Sequence, residues 1–175
     1  MKLRYLGIVG AIIAFISYAL QWWTISVGTT QVSMYINQIS ASFPSTMSFW
    51  YAWTALVLVI VGGALGIFGS LMENTRLVLL VGGILTLLAV VIFAVGLQNQ
   101  LSTTTPIEGG PLVGLFSSGT YEGVDYATYL SYGFWLALVG AIAMFVACRK
   151  SPVPTSTTQT APTPQEPQPT PQPAT

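Results

Sequence analysis

Glu73 and Arg76 are the only charged residues between Arg4 and Glu108, so they are either a buried functional ion pair inside a membrane or the wet turn between two spans. Farther along, Glu108, Glu122 and Asp125 supply the hard carboxylate oxygens from which a weak divalent-cation site is built. No EF-hand-like spacing joins them, and the plainer reading is solvated loop charge. Glu122 and Asp125 could also act as general acid and base, but the surrounding "GTYEGVDY" matches no catalytic pattern. The chain has no histidine, which removes the usual haem ligand, the His-rich metal sites and the commonest general base. Cys148 is the single cysteine, so a disulfide within one chain and a CxxC relay are both excluded. Beside Arg149 it is accessible to S-palmitoylation, although a small hydrophobe filling a last helical turn describes it as well. The expectation is a protein without enzymatic activity, cofactor or metal, and with no catalytic, cofactor-binding or metal-ligating residue.

Composition says what positions these residues. Charged residues make up 6% of the 175-residue chain and hydrophobic ones 53%, against about 25% charged in an ordinary soluble domain. The apolar residues fall in four blocks, at about 5–23, 50–72, 77–97 and 129–148. At about 1.5 Å per helical residue, each approaches the ~30 Å of a bilayer's hydrocarbon layer. The expected fold is an all-α membrane protein, a bundle of four transmembrane helices over residues 1–150. An ionised residue at mid-bilayer costs roughly 2.5–3.5 kcal/mol on the insertion scale. Ending one span at Met72 and starting the next at Leu77 avoids that cost, which makes Glu73-Asn74-Thr75-Arg76 a turn.

Lys2, Arg4, Arg76, Arg149 and Lys150 are all the basic residues there are, and four crossings put them on one face. The positive-inside rule makes that face cytoplasmic, with both termini inside a cell membrane. Trp22, Trp23, Trp50, Trp53 and Trp135 fall at the opposite ends of the blocks, where an interfacial aromatic belt is expected. Lys2, Arg4, the apolar run and Ser17-Tyr18-Ala19 also resemble a cleavable secretory signal. The run continues through Leu20 to Trp23, which favours a retained span.

The outer loops, 24–49 and 98–128, differ. "TISVGTTQVSMYI" alternates around Gly28 and reads as a small β-hairpin in the first loop. The second carries Pro106, Gly109, Gly110, Pro111, Gly114, Gly119 and Gly123, which predict irregular structure with one short interfacial segment at Leu112–Phe116. Residues 151–175 hold eight of the eleven prolines and read as a disordered cytoplasmic tail. Arg4, Val9, Gly10 and Ile12 recur 72 positions later as Arg76, Val81, Gly82 and Ile84, the pattern that duplication of a helical hairpin would leave, and one that chance also produces among membrane helices.

Small residues recur at helical spacing: Gly10 and Ala14, then Gly62, Gly66 and Ser70, then Gly82 and Thr86. Such stripes let helix backbones approach closely in lipid, where apolar burial provides little drive. They serve packing within the chain or association with another. The plan of four spans, a larger outer loop of β character and inside termini resembles that of claudin-type tetraspan proteins in architecture. The paired loop cysteines and Gly-Leu-Trp motif of that family are missing here. The resemblance implies adhesion or association without chemistry. The function read from the sequence is a non-catalytic multi-pass subunit, accessory or structural, that associates through small-residue faces and outer loops. An oligomeric channel or carrier for a neutral solute is the alternative. Expected partners are the lipid bilayer and other membrane proteins or further copies of itself, with no nucleic acid.

Overall fold

A computed structural model describes residues 2–36, 49–72, 76–103 and 113–148, with side chains described from Tyr5 onward. The tail 151–175, the connector residues 73–75, Glu108, Arg149 and Lys150 lie outside the described residues. Four helices, α1 (Lys2–Ile16), α2 (Trp50–Leu71), α3 (Arg76–Thr103) and α4 (Tyr132–Cys148), carry an antiparallel sheet. Its strands are β1 (Gln21–Val27), β2 (Thr30–Tyr35), β3 (Ser117–Tyr121) and β4 (Val124–Leu130). The all-α, four-transmembrane-helix expectation is therefore corrected on two counts. The sheet is a major element, and among the described residues only α2 and α3 are long and apolar enough to cross a membrane.

The reason is visible at the ends of the apolar blocks. The first block does not stay helical to Trp23. Ser17 Oγ donates back to the Ala14 carbonyl at 2.6 Å, Leu20 N–H donates to the Ser17 carbonyl at 3.2 Å, and the chain leaves α1 through a short 3₁₀ turn at Ser17–Ala19. The following "QWWTISV" is rich in aromatic and β-branched residues, which suit a pleated surface more than a helix. Likewise Tyr129 and Leu130 of the fourth block belong to β4, and α4 has only 17 residues. α3 instead runs on through Gln98-Asn99-Gln100 to Thr103, for 28 residues or about 42 Å.

The strand order is β2-β1-β4-β3. β1 and β4 are the central strands, paired antiparallel from Trp23↔Leu130 to Val27↔Tyr126. The hairpin around Gly28 is thus half of a larger sheet, and the second loop supplies the other half, where irregular structure was expected. Both hairpins close through two-residue loops with positive φ: Gly28-Thr29 with Gly28 at +56°, and Glu122-Gly123 at +51° and +78°. At Glu122-Gly123 positive φ at both central residues is the type I′ arrangement, whose twist matches that of the strands it joins, while in the first loop Gly28 alone has it. The 72-residue echo stops at the helices, since Gln21 plus 72 falls on Phe93, inside α3.

One face of the sheet lies on the helices. Trp23, Ile25, Met34 and Leu130 from the sheet pack in one cluster with Phe49, Tyr51, Phe93, Leu97, Leu101 and Phe134. At the other end of the helices a smaller cluster joins Ala11, Ala14, Leu79 and Met144.

Candidate interaction surfaces

The small-residue positions meet one another inside the molecule. A Cβ placed on Gly62 would lie 2.6 Å from Thr86 Oγ1 and 2.8 Å from the Gly82 carbonyl. One on Gly82 would meet the Gly62 carbonyl at 2.7 Å and Gly66 N at 2.8 Å. Gly66 faces Met144 Sδ and Ala11, while Gly10 faces Ala143 and the Gly140 carbonyl, whose own residue abuts Ala14. Thr86 Oγ1 and Ser70 Oγ donate back to the Gly82 and Gly66 carbonyls at 2.9 and 2.8 Å, which satisfies both buried hydroxyls. Gly10, Ala14, Gly62, Gly66, Ser70, Gly82 and Thr86 thus line contacts among α1, α2, α3 and α4. These faces are occupied by the chain's own helices.

The outward faces are apolar on every helix. They include Val9 and Ile12 on α1, Val57 and Val61 on α2, Leu88 and Val91 on α3, and Val139 and Ile142 on α4, all exposed. Trp50, Trp53, Trp135 and Tyr132 are exposed on the sheet-proximal turns of α2 and α4. Trp22 and Trp23 are not part of this rim, which corrects their assignment to an interfacial belt. Both are 0% exposed, because β1 turns them into the core. Trp22 stacks edge-on against Phe93 and Phe134, and its Nε1 donates to the Ser17 carbonyl at 2.8 Å.

At the far end, Cys148 Sγ lies 3.7 Å from the Arg76 carbonyl, and Gly7 lies against Ser70, Leu79 and Ala147. The start of α1, the end of α2, the start of α3 and the end of α4 therefore converge. Lys2 and Arg4 belong to the first turns of α1, Arg76 opens α3, and Arg149 and Lys150 follow α4 in sequence.

The sheet's outward face carries Ser26, Gln31, Ser118, Thr120, Asp125 and Tyr129, strand by strand. Asp125 accepts a hydrogen bond from Thr120 Oγ1 at 2.8 Å, and Gln31 Nε2 donates to Tyr129 Oη at 2.7 Å. Glu122 sits in the β3–β4 turn, and among the described residues no cluster of three His, Cys, Asp or Glu side chains could hold a metal ion. Two clefts open on this face. One, of about 410 Å³, is lined by Ser26, Gly28, Ser118, Thr120 and Asp125. The other, of about 280 Å³, lies between the sheet and the first turn of α4, lined by Gln21, Gln31, Tyr129, Ser131, Tyr132 and Trp135.

Sequence reasoning finds Tyr132 and Trp135 as aromatics at a span end but not the cleft they share with Gln21, Gln31 and Tyr129, because Gln21 and Tyr129 read as the ends of helical spans. The usable signal is the β-branched and aromatic content of "VDYATYL" directly after the Glu-Gly turn. It also missed close contacts such as Gly96 against the Tyr51 ring and Gly133 against Trp22. No family model, curated protein or solved structure matches the chain.

Proposed function

We propose that this is an integral membrane protein whose α2–α3 hairpin crosses the bilayer, with the sheet on the outer side and the start of α3 on the cytoplasmic side. The observation that carries the reading is the apolar outer surface running around all four helices, between a polar sheet face at one end and the helix ends that carry Lys2, Arg4 and Arg76 at the other. A soluble monomer rarely exposes a contiguous apolar area larger than a few hundred Å². In lipid that surface is matched to its solvent, and the exposed Trp50, Trp53 and Trp135 take the headgroup level. Lys2 and Arg4 in the first turns of α1 and Arg76 at the start of α3 stand at the opposite end and give the orientation.

Within that setting the protein acts as a non-catalytic accessory or structural subunit. Its small-residue faces are filled internally, so association with other membrane proteins falls to the outward face of the sheet and to the exposed helix surfaces. Backbone contact between Gly62 and Gly82 leaves no lumen between α2 and α3, which weighs against conduction through a single copy. Gentle solubilisation followed by native gel electrophoresis tests the role. A stable assembly larger than the detergent-bound monomer is expected, and a lone monomer at every detergent concentration contradicts it.

A further inference from the structure

The cleft between the sheet and α4 combines features that the rest of the outer face lacks. Two amides, Gln21 and Gln31, and the Ser131 hydroxyl border it together with three aromatic rings, Tyr129, Tyr132 and Trp135. Among the described residues no charged side chain lines it, although Asp125 lines the neighbouring cleft on the same face. We propose that it binds a single neutral polyhydroxylated ring, a hexose, presented either as a free sugar or as the headgroup of a glycolipid.

The chemistry follows from the lining. A sugar hydroxyl both donates and accepts, and an amide does the same with an NH₂ and a carbonyl held in one plane. Gln31 Nε2 donates to Tyr129 Oη at 2.7 Å. That bond orients the Gln31 carbonyl as an acceptor and leaves the Tyr129 hydroxyl proton to be donated elsewhere. Aromatic rings present an electron-rich face, against which the slightly positive C–H groups of a sugar ring pack. Trp135 is held for this purpose, its Nε1 donating to the Leu130 carbonyl at 3.2 Å while its ring is 47% exposed. Phosphate, carboxylate and ammonium ligands would each bring a charge that no described side chain in the lining complements. The volume, about 280 Å³, lies at the lower limit of the ~300–1,000 Å³ typical of small-molecule pockets, which suits one ring and not a chain of them.

The glycolipid source rests on the membrane reading above, because only then do Tyr132 and Trp135 stand at headgroup depth. The free-sugar source does not. The test is isothermal titration of the full-length chain in polyoxyethylene-detergent micelles, which contain no sugar, against methyl β-glucoside, a monoglucosyl diacylglycerol, phosphatidylcholine and phosphatidylglycerol. Saturable binding of the glucoside and the glucolipid is expected, with Trp135→Ala and Gln31→Ala each weakening it about tenfold or more and Trp135→Phe retaining it. Binding of the glucolipid alone assigns the headgroup source and also supports the proposal. Circular dichroism verifies the fold of each variant. Tyr132→Ala, at a ring 78% exposed, replaces any variant that does not fold. Absence of saturable binding to both sugars, equal binding by the folded variants, or phosphatidylglycerol binding as tightly as the glucolipid overturns the proposal. A chain that stays soluble and monomeric without detergent overturns the membrane reading instead, and leaves the methyl β-glucoside result standing.

Discussion

The hydroxyls of Thr24 and Ser131 lie 2.6 Å apart, buried, across 107 residues of sequence. Thr24 sits in the central strand β1, and Ser131 is the one residue between β4 and α4. The pair therefore fixes the sheet to the helix that carries Trp135, and either oxygen can be the donor.

Thr24→Val leaves the buried Ser131 hydroxyl without this bond, and Ser131→Ala leaves the Thr24 hydroxyl only its 3.5 Å contact to Ser33 Oγ. Thr24→Val and Ser131→Ala are each expected to destabilise by about 1–3 kcal/mol. The double variant should cost less than the two together, because it leaves no orphaned hydroxyl. Unfolding in detergent across the four proteins checks this, and strictly additive losses contradict it.

Helix approach gives a second prediction, with its own control. Gly62→Ala forces a Cβ to within 2.6 Å of Thr86 Oγ1 and 2.8 Å of a backbone carbonyl, and should destabilise by about 1–3 kcal/mol. Gly83→Ala meets only ordinary contacts at 3.4–3.6 Å and gains helix propensity of up to about 1 kcal/mol. Thermal unfolding in micelles should move in opposite directions for the two, or stay unchanged for Gly83→Ala.

The tryptophans divide into two classes. Trp22→Ala removes a ring wholly buried against Phe93 and Phe134 and should cost about 3–5 kcal/mol. Trp22→Phe keeps a ring but removes one of the two hydrogen bonds at the Ser17 carbonyl, which keeps the one from Leu20 N–H, at about 0.5–1.5 kcal/mol. Trp50→Ala, at a ring 63% exposed, should change stability in detergent by no more than about 0.5 kcal/mol. Equal losses at Trp22 and Trp50 contradict the placement of Trp22 in the core.

The β3–β4 turn isolates backbone strain from packing. Gly123 has φ +78° with no atom of the described residues within 4 Å of an added Cβ, so Gly123→Ala should cost about 1–2 kcal/mol through the left-handed conformation alone. Glu122 holds φ +51°, and Glu122→Asn, better suited to that region, should be neutral or stabilising. Chemical unfolding followed by circular dichroism reads both.

What was legible in the sequence follows from the range of the interactions. The helical blocks and the stripe of Gly62, Gly66 and Ser70 announce themselves within one or two turns, and the turn at Gly28 within four residues. The sheet does not. Trp23 pairs with Leu130 from another loop, and no local pattern records a partner that far away. Hydrophobicity alone also cannot separate a helix end from a buried strand. Gln21-Trp22-Trp23 and Tyr129-Leu130 therefore read as parts of spans, although Thr24-Ile25 and the Glu122-Gly123 turn near them carry the β signal. The same error hid the cleft, whose lining residues come from both sides of that boundary.

The claim on which the account depends is that the outward helix surfaces face hydrocarbon. Spin labels on Val57→Cys, Val91→Cys, Val139→Cys and Thr120→Cys, each in a Cys148→Ser background in liposomes, test it by collision with oxygen and with a polar nickel chelate. The account predicts that the three valine sites collide with oxygen and are shielded from nickel, while the Thr120 site collides freely with nickel. Nickel access at Val57, Val91 and Val139 equal to that at Thr120 would contradict it.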